Sequence, residues 1–238
     1  MQHLELSVVV LCYKSGPELI PYTDSIIQEI NSLNIPFELV LVCNYDKGDR
    51  ENNITFQVAS ELKRTKSANI QIIFKEKEGG MGWDLKTGIH ACKGRYICFL
   101  DGDGQTHPKD ITILYHAIMT ENTCLTKTYR NTRHDGWFRK IQSTVFNTLF
   151  NLMYTNGYQR IKDVNAKPKM ALRSTFQALD LQSNDWYIDA EIILKLVKDA
   201  QKITEIPTIF YANIHRKSFV KWSTILEFLK NMFLRKGS

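Results

Sequence analysis

Short apolar segments alternate with helical patterns through the first half of the chain, and this alternation constrains the fold more than any other feature. Runs rich in β-branched and aromatic residues predict strands, and apolar residues near every third or fourth position predict helices. The predicted strands are 6–11, 37–42, 70–74 and 96–100, and the predicted helices are 17–33, 55–64, 84–92 and 108–119. This order is typical of a mostly parallel sheet with helices on both faces, so the sequence predicts an α/β fold.

The second half of the chain departs from this rhythm. Its patterns predict a long amphipathic helix over 137–154, a helix over 189–200, a short strand over 203–206 and a terminal helix over 222–233. We find no internal repeat, low-complexity tract or linker in the sequence. At 238 residues the chain is long enough for one domain with a substantial core, and we expect a single domain.

Two aspartates, Asp101 and Asp103, follow directly on the fourth predicted strand. In open α/β sheets, ligands bind at the carboxyl ends of the strands. Two carboxylates one residue apart are suitable ligands for Mg²⁺ or Mn²⁺ shared with substrate phosphates. A simple turn is the alternative, because aspartate and glycine are the commonest turn residues.

Composition excludes several classes of protein. A hydrophobic fraction of 43% with 24% charged residues is ordinary for a globular protein and excludes disorder, collagen and disulfide scaffolds. No apolar run approaches the ~20 residues that span a bilayer, and the first residues lack the basic region of a signal peptide, so we expect a cytoplasmic protein. The five cysteines show no Cys-x-x-Cys spacing, and we expect buried reduced thiols.

The formal charge of +6 is unevenly distributed. Residues 126–140 hold five basic side chains and one acidic side chain, and residues 216–236 hold six basic side chains and one acidic side chain. Such clusters suit a polyanion, which could be nucleic acid, an anionic membrane surface or a phosphorylated substrate. A solvated charged surface is the alternative, and composition does not choose among these.

Four motifs follow one another along the chain. They are Asp101-Gly102-Asp103-Gly104-Gln105 before Pro108; Lys127-Thr128-Tyr129-Arg130 with Asp135-Gly136, Arg139, Ser143 and Asn147; 163–169; and 185–191 with Glu205-Ile206-Pro207. In this order they resemble the family 2 glycosyltransferases of GT-A fold, and within them the dolichyl- and polyprenyl-phosphate mannosyl- and glucosyltransferase branch. The resemblance covers about residues 6–218.

The resemblance implies a Rossmann-like GT-A domain and an inverting, metal-dependent transfer. A hexose would pass from a UDP- or GDP-linked sugar to a polyprenyl phosphate, with Mg²⁺ or Mn²⁺ at Asp101 and Asp103. Residues 1–120 would bind the nucleotide sugar and residues 121–220 the acceptor. Residues 221–238 would form a basic amphipathic helix, either at the cytoplasmic face of the membrane or docked on the domain.

The donor site that this resemblance implies lies around the glycine-rich turn and the first two strand ends. Its candidates are Tyr13, Asn44, Asp46, Gly82, Trp83, Asp84, Asp101, Gln105, Arg216 and Lys217. The glycine turn at 79–82 would let backbone approach a ligand, or would only supply positive φ. Core packing is the alternative for Trp83, and helix capping for Asp84. Family members often carry two adjacent aspartates after the second strand. The Asn44-Tyr45-Asp46 loop departs from that pattern and does not distinguish uridine from guanosine donors.

Arg130, Arg139, Ser143 and Asp163 are the candidates for the acceptor site. A hairpin-like path through Asp135-Gly136 would bring the two guanidinium groups toward one phosphate, which arginine recognises in bidentate fashion. A solvated basic face is the alternative.

The mechanism depends on the acceptor. A lipid phosphate is already a nucleophilic oxyanion, whereas a hydroxyl acceptor needs a base. Asp189 stands where hydroxyl-directed family members keep that base, or it caps the following helix. Asp103 and Asp189 are thus the candidate catalytic residues.

Three other functions remain open from the sequence. An enzyme of the same fold could add a sugar to a hydroxyl of a lipid-linked or cell-surface glycan. A nucleotidyltransferase also uses paired acids near a glycine-rich loop, and would release pyrophosphate instead of a nucleoside diphosphate. A basic α/β module could bind nucleic acid, with a steep dependence on salt, although we expect no nucleic-acid partner here.

Overall fold

The computed structural model describes residues 4–49, 53–66, 69–134, 137–155 and 157–212. Its strands are β1 (Leu6–Leu11), β2 (Phe37–Val42), β3 (Ile70–Ile73), β4 (Tyr96–Asp101), β5 (Leu125–Arg133), β6 (Lys169–Leu172) and β7 (Ile203–Phe210). Its helices are α1 (Leu19–Asn31), α2 (Ile54–Lys66), α3 (Met81–Ala91), α4 (Lys109–Thr120), α5 (Trp137–Tyr154), α6 (Arg173–Ala178) and α7 (Ile188–Lys198).

The strands form one mixed sheet in the order β3-β2-β1-β4-β6-β5-β7. Only β6 runs antiparallel to its neighbours β4 and β5, and the other pairs are parallel. The predicted mostly parallel α/β fold is therefore confirmed. The strands β1, β2 and β4 are buried along almost their whole length, which is why they read as unbroken apolar runs in the sequence.

Helices cover both faces of the sheet and bury a separate apolar core on each. Alternate β1 residues point to opposite faces, so Val9 and Leu11 pack with α3, α5 and α7, while Leu6, Val8 and Val10 pack with α1, α2 and α4. The register pairs the end of β1 with the ends of β2 and β4, Leu11 lying opposite Val42 and Asp101. Three carboxyl ends of parallel strands thus meet at one edge, which positions the site described below.

The prediction for the second half missed several elements, including the short helix α6. The nine-residue strand β5 and the short β6 were not predicted, and β7 continues four residues past Ile206, through Pro207. A proline is tolerated there because, within the described part of the chain, β7 is an edge strand that pairs only with β5, so its missing N–H breaks no pairing on the other side. Arg130 lies on β5 and Arg139 on α5, and the predicted hairpin-like path between them passes through 135–136, which lie outside the described residues.

The thiol prediction is confirmed, since all five cysteines are free, four are buried and Cys124 is half-buried. Within the part of the chain that the structure describes, no helix is long and apolar enough to cross a membrane.

Candidate active site

The acidic motif forms the turn that follows β4. Asp101 is the last residue of the strand, and the backbone N–H of Gly102 donates to the carbonyl of Leu11 at 2.9 Å. Asp103 Oδ1 accepts a hydrogen bond from the backbone N–H of Gln105 at 3.1 Å, an Asx turn around Gly104, whose φ is +71°. The motif is therefore a tight turn as well as a pair of carboxylates, so both sequence interpretations describe its geometry.

The two carboxylates fit a divalent cation that is shared with a substrate. The Asp101 side chain is 36% exposed and Asp103 is half-buried, so both are accessible at the strand end. Among residues 4–212, where the structure describes them, no group of three or more His, Cys, Asp or Glu side chains could hold a metal. Further ligands would therefore be phosphate oxygens and water, as is usual for Mg²⁺ in nucleotide enzymes.

Five side chains form what we call the donor edge: Tyr13, Asn44, Asp46, Lys77 and Asp84. The Tyr13 hydroxyl donates to Asp46 Oδ2 at 2.6 Å, and the Lys77 ammonium lies 3.8 Å from the centre of the Tyr13 ring. The Tyr13 hydrogen bond is the main reason that the pKa of Asp46 lies below its usual value. Asp46 is 43% exposed, so this carboxylate is both ionised and accessible.

The inner part of the donor edge is already hydrogen-bonded within the protein. Asn44 Nδ2 donates to Asp84 Oδ1 at 2.9 Å, and Asn44 Oδ1 accepts from the backbone N–H of Lys75 at 3.0 Å. Asp84 also forms a salt bridge with Lys77. Burial raises the pKa of Asp84, with Lys77 and Asn44 opposing the effect. Asn44 and Asp84 thus hold the ends of β2 and α3 together, and Lys77, absent from the sequence prediction, connects them to Tyr13.

The glycine-rich turn packs against the protein's own backbone. Gly82 N donates to Asp185 O at 3.1 Å, and Trp83 N donates to Asn184 O at 3.2 Å. A Cβ on Gly82 would lie 2.5 Å from the carbonyl oxygen of Ser183. Gly82 does not have positive φ, so that alternative was wrong. The close approach that glycine permits here is to residues 183–185, whose carbonyls take up the first N–H groups of α3.

Two further donor candidates have defined surroundings. Gln105 is buried, and its side-chain amide donates to Tyr211 O at 2.8 Å, so it fixes the acidic turn to the end of β7. Trp83 is half-buried in the first turn of α3. Arg216 and Lys217, like the predicted terminal helix, lie outside the described residues.

A second charged group lies beneath the acidic motif, and we call it the lysine cluster: Lys127, Lys167, Lys169, Asp189 and Glu205. Lys167 Nζ lies 3.1 Å from each carboxylate oxygen of Asp101 and 3.2 Å from Asp189 Oδ2. Lys169 forms a salt bridge with the other oxygen of Asp189. The three lysine side chains and the Asp189 side chain are at most 6% exposed.

The charges in this cluster shift each other's pKa values. Burial alone would raise the pKa of Asp189, but Lys167 and Lys169 outweigh it and hold the pKa below its usual value. Burial would likewise lower the pKa of Lys167, yet Asp101 and Asp189 outweigh it and raise the pKa. Burial dominates at Lys169 and lowers its pKa to about 8.

Asp189 occupies the second residue of α7 without capping it. The helix has no side-chain capping hydrogen bond, so the alternative role of Asp189 as a cap was wrong. Its carboxylate is directed instead to two lysines that the sequence analysis did not connect with it. A buried carboxylate with a lowered pKa has little tendency to accept a proton. This geometry does not favour Asp189 as a base.

The acceptor candidates on β5 are engaged with Asp163. Arg130 donates to Asp163 through Nε at 2.6 Å and through a terminal nitrogen at 2.8 Å, a bidentate pair. Lys127 is fully buried and forms a salt bridge with Glu205 at 3.0 Å. These two members of the basic run 126–140 are therefore paired inside the protein, and they do not form a solvated basic face.

Helix α5 carries the other two acceptor candidates, Arg139 and Ser143, both half-buried. One turn further along, Asn147 Oδ1 accepts from Val164 N at 3.0 Å, and Asn151 Oδ1 accepts from Ile161 N at 2.7 Å. These two asparagines attach the helix to the loop that carries Asp163. The residues between Arg130 and Arg139 include 135 and 136, which are not described.

Comparison with known proteins identifies the family of this chain. A model of glycosyl transferase family 2 matches residues 7–180 of the chain. The chain belongs to glycosyl transferase family 2. The family resemblance drawn from the motifs is thereby confirmed, and so is the expectation of an enzyme that transfers a sugar.

Two curated relatives of this glycosyltransferase are named for a polyprenyl-type phosphate. It is 29% identical over 150 residues to the dodecaprenyl-phosphate galacturonate synthase of Rhizobium johnstonii, covering 63% of this chain and 43% of that enzyme. It is 24% identical over 210 residues to the dolichyl-phosphate beta-glucosyltransferase of Dictyostelium discoideum, covering 81% of this chain and 62% of that enzyme. The chain spans less than two thirds of either relative.

The GT-A fold is confirmed by solved structures. Glucosyl-3-phosphoglycerate synthase from Mycobacterium tuberculosis, in complex with Mn²⁺, UDP and phosphoglyceric acid, matches with a TM-score of 0.73 and 16% identity, covering 98% of this chain and 79% of that one. The same enzyme was also solved with Mg²⁺ and UDP.

Proposed function

We propose that this family 2 glycosyltransferase transfers a hexose from a nucleotide diphosphate sugar to a lipid phosphate of the polyprenyl type. The observation that supports a lipid phosphate as the acceptor is the burial of Asp189 between Lys167 and Lys169. A hydroxyl acceptor needs a base that can reach it and take its proton. A lipid phosphate is already ionised and needs none, so an Asp189 held as a buried ion pair is compatible with this acceptor.

The relatives support the same class of acceptor. Those described above are named for dodecaprenyl phosphate and dolichyl phosphate, and a third relative, from Proteus mirabilis, is an undecaprenyl-phosphate sugar transferase at 26% identity. The names agree on a long isoprenoid phosphate and differ in the sugar. We therefore propose the lipid class and do not specify which hexose is transferred.

The donor nucleotide would lie along the donor edge. Tyr13 offers a ring and Asp46 an ionised, accessible acceptor for N–H groups of a base, either uracil or guanine. The diphosphate would then reach the turn at Asp101 and Asp103. A bound Mg²⁺ or Mn²⁺ there would neutralise charge on the leaving nucleoside diphosphate.

The acceptor phosphate would approach from β5 and α5. Arg139 and Ser143 are half-buried on α5, the helix that is attached further along to the loop carrying Asp163. Arg130 on β5 forms a bidentate pair with Asp163. We propose that Arg139 holds the phosphate and that the Arg130–Asp163 pair shapes its site. One phosphate oxygen would form the new bond to the anomeric carbon as the bond to the diphosphate breaks, which inverts that carbon.

The experiment that tests this function supplies candidate donors and acceptors separately. Purified enzyme with Mn²⁺ is incubated with UDP- and GDP-linked hexoses, and either undecaprenyl phosphate in detergent or a hydroxyl glycan acceptor. We expect release of nucleoside diphosphate and a sugar-linked lipid phosphate with one donor. Asp103→Asn serves as the control. Product only with the hydroxyl acceptor would contradict the proposal, and release of pyrophosphate would indicate a nucleotidyltransferase.

Helix α5 also supports a peripheral contact with the cytoplasmic face of a membrane. Ile141, Val145 and Leu152 are 51%, 53% and 79% exposed, and their spacing places them on one stripe of the helix. Residues 137–162 contain four basic and no acidic side chains. An exposed apolar stripe in a basic segment suits an anionic lipid surface, where the proposed acceptor is embedded.

Vesicle sedimentation tests this contact. We expect the enzyme to bind vesicles containing anionic phospholipid more strongly than neutral vesicles. The triple variant Ile141→Ser, Val145→Ser, Leu152→Ser should lose most of that binding. A matched double variant, Ile54→Ser with Met119→Ser, removes exposed apolar side chains elsewhere and should keep it. Equal losses in both variants would contradict a contact through α5.

A further inference from the structure

Lys14 has a left-handed backbone that is unusual for a lysine. It is the third residue of the turn 12–15, which the Ser15 N–H closes on the Cys12 carbonyl at 2.9 Å, and its φ is +54°. Glycine or asparagine usually occupies such a place in a turn, because a side chain is strained at positive φ. The other non-glycine residues with positive φ in the described part of the chain follow the ends of helices, where this conformation is common: Asn34, Asp180 and Ala200.

The turn that carries Lys14 connects the donor edge to the acidic turn. Tyr13, on one side of Lys14, belongs to the donor edge. On the other side, the Ser15 hydroxyl donates to the carbonyl of Gly102, the residue between the two aspartates of the acidic motif, at 3.1 Å. Consecutive Cα atoms are only about 3.8 Å apart. Lys14 therefore lies one residue from each of the two regions that a nucleotide diphosphate would bridge.

The Lys14 ammonium is charged, exposed and held by a partner that it can exchange. It lies 3.0 Å from Asp46 Oδ2, the oxygen that also accepts from the Tyr13 hydroxyl. Tyr13 and then Asp46 raise the pKa of Lys14 above its usual value, so the ammonium stays protonated at any working pH. The Lys14 and Asp46 side chains are 50% and 43% exposed. Because an ion pair that water reaches in this way is weak, a more highly charged ligand can replace Asp46 as the partner of Lys14.

We propose that Lys14 binds the diphosphate of the donor, exchanging Asp46 for a phosphate oxygen when the nucleotide occupies the donor edge. This rests on the proposed function, in which the base lies at Asp46 and the diphosphate at the acidic turn. The flexible four-carbon stem of lysine permits the exchange. The strained backbone also fits this role, since strain of this kind is commonly retained at ligand-binding sites.

Calorimetric titration with nucleosides and with nucleoside diphosphates, both in the presence of Mn²⁺, tests this proposal. Lys14→Asn removes the ammonium and suits the positive φ of the turn. We expect this variant to bind UDP or GDP, whichever the wild-type enzyme binds, about tenfold more weakly, the scale of one charged hydrogen bond to phosphate. The matching nucleoside, uridine or guanosine, has no phosphate and should bind as it does to the wild type.

Three further variants separate the charge of Lys14 from its backbone and from charge in general. Lys14→Arg keeps a cation and should recover most of the affinity for the diphosphate. Lys14→Gly is a second neutral variant that suits the turn, and it should behave like Lys14→Asn. Lys47→Asn removes an exposed lysine one residue past Asp46 and should bind the diphosphate like the wild type. A thermal melt of each variant confirms that it is folded.

The outcomes distinguish this inference from the proposed function. If the wild-type enzyme binds neither UDP nor GDP, the proposed donor class fails, and the role of Lys14 fails with it. If the wild type binds one of them and the neutral Lys14 variants bind it equally well, only the role of Lys14 is overturned. An equal loss for nucleoside and diphosphate, which a merely structural role in the turn would produce, would also overturn it, as would an equal loss in Lys47→Asn.

Discussion

The outer part of the donor edge and the lysine cluster are built from the same kinds of side chain at the same end of the sheet, yet they differ in exposure. At the donor edge, Asp46 is 43% exposed and Lys14, which forms a salt bridge with it at 3.0 Å, is 50% exposed, whereas the inner pair of Lys77 and Asp84 is 9% and 5% exposed. In the lysine cluster, Lys169 is 0% exposed and Asp189 3%. Charged pairs that water reaches can exchange a protein partner for a ligand. Buried pairs cannot, because a lost partner leaves an ion in a medium that solvates it poorly.

The comparison changes how the charged motifs of this chain should be read. A lysine or aspartate in a motif suggests ligand contact, and the carboxylate of Asp46 at the donor edge is exposed enough for such a contact. In the lysine cluster the same residue types fix the second half of the sheet to α7, one layer behind the acidic turn. Within the described residues, Lys167 is the member of the cluster that forms a salt bridge with Asp101 and so connects the cluster to the acidic turn.

Of the changes that distinguish the two regions, Asp189→Asn in the lysine cluster should have the largest effect, a loss of stability. The variant leaves Lys169 buried without its carboxylate, and breaking a buried ion pair typically costs about 3 to 5 kcal/mol. Urea unfolding followed by circular dichroism measures the free energy of unfolding. A loss below about 1 kcal/mol would show that water reaches the lysine cluster, and the cluster would then not differ from the donor edge in its access to water.

Asp103→Asn should give the largest loss of activity without a loss of stability. Asparagine keeps the side-chain oxygen that accepts from Gln105 N, so the turn is preserved while the charge toward a metal is removed. We expect turnover to fall by about two orders of magnitude, as for the loss of one preorganised charge stabiliser. The measurement is nucleotide release with excess Mn²⁺, beside a thermal melt. If EDTA left the turnover of the wild-type enzyme unchanged, that result would contradict a role for metal.

Arg139→Ala should weaken the acceptor rather than the donor. A charge-assisted hydrogen bond to phosphate contributes about 1.5 to 3 kcal/mol, so the KM for lipid phosphate should rise about tenfold to a hundredfold. Arg139→Lys should recover only part of this, because an ammonium lacks the planar fork. Arg130→Ala provides the contrast, since it removes the bidentate partner of the buried Asp163 and should lower stability too.

Separate titrations of nucleotide sugar and lipid phosphate decide the outcome for Arg139. An equal rise in KM for both substrates, or no change for the acceptor, would assign Arg139 to the surface of α5 and not to the acceptor site. The half-buried Ser143, one turn along the same helix, would then lose its assignment as well.

How far the sequence predicts this molecule depends on where the partners of each residue lie. The strands β1, β2 and β4 were predicted at nearly their observed bounds because parallel buried strands are continuous apolar runs. The strands β5 and β6 were missed because each carries a buried lysine, Lys127 and Lys169, which reads locally as a surface residue. The carboxylates that balance these lysines come from α7 and β7, and no local pattern reveals such pairing.

The same reasoning explains which site residues were found. Tyr13 and Asp46 follow strand ends that the parallel register brings to one edge, so their proximity could be predicted and is observed at 2.6 Å. Lys77 follows β3 and could have been included by the same rule. Lys167 could not, because its contact with Asp101 depends on the unpredicted strand β6 that begins two residues later.

The smallest predicted effect is that of Asp46→Asn at the exposed part of the donor edge. This change keeps a group that can accept from the Tyr13 hydroxyl, and an exposed ion pair with Lys14 contributes at most about 1 kcal/mol, so the free energy of unfolding should hardly change. If Asp46 accepts N–H groups of the base, the dissociation constant of the nucleotide should still rise by about twofold to tenfold. Calorimetric titration with UDP and with GDP measures it, and Asp49→Asn, an exposed aspartate three residues on, is the matched control. Equal small changes for both variants would place the base elsewhere and leave Asp46 as a surface charge.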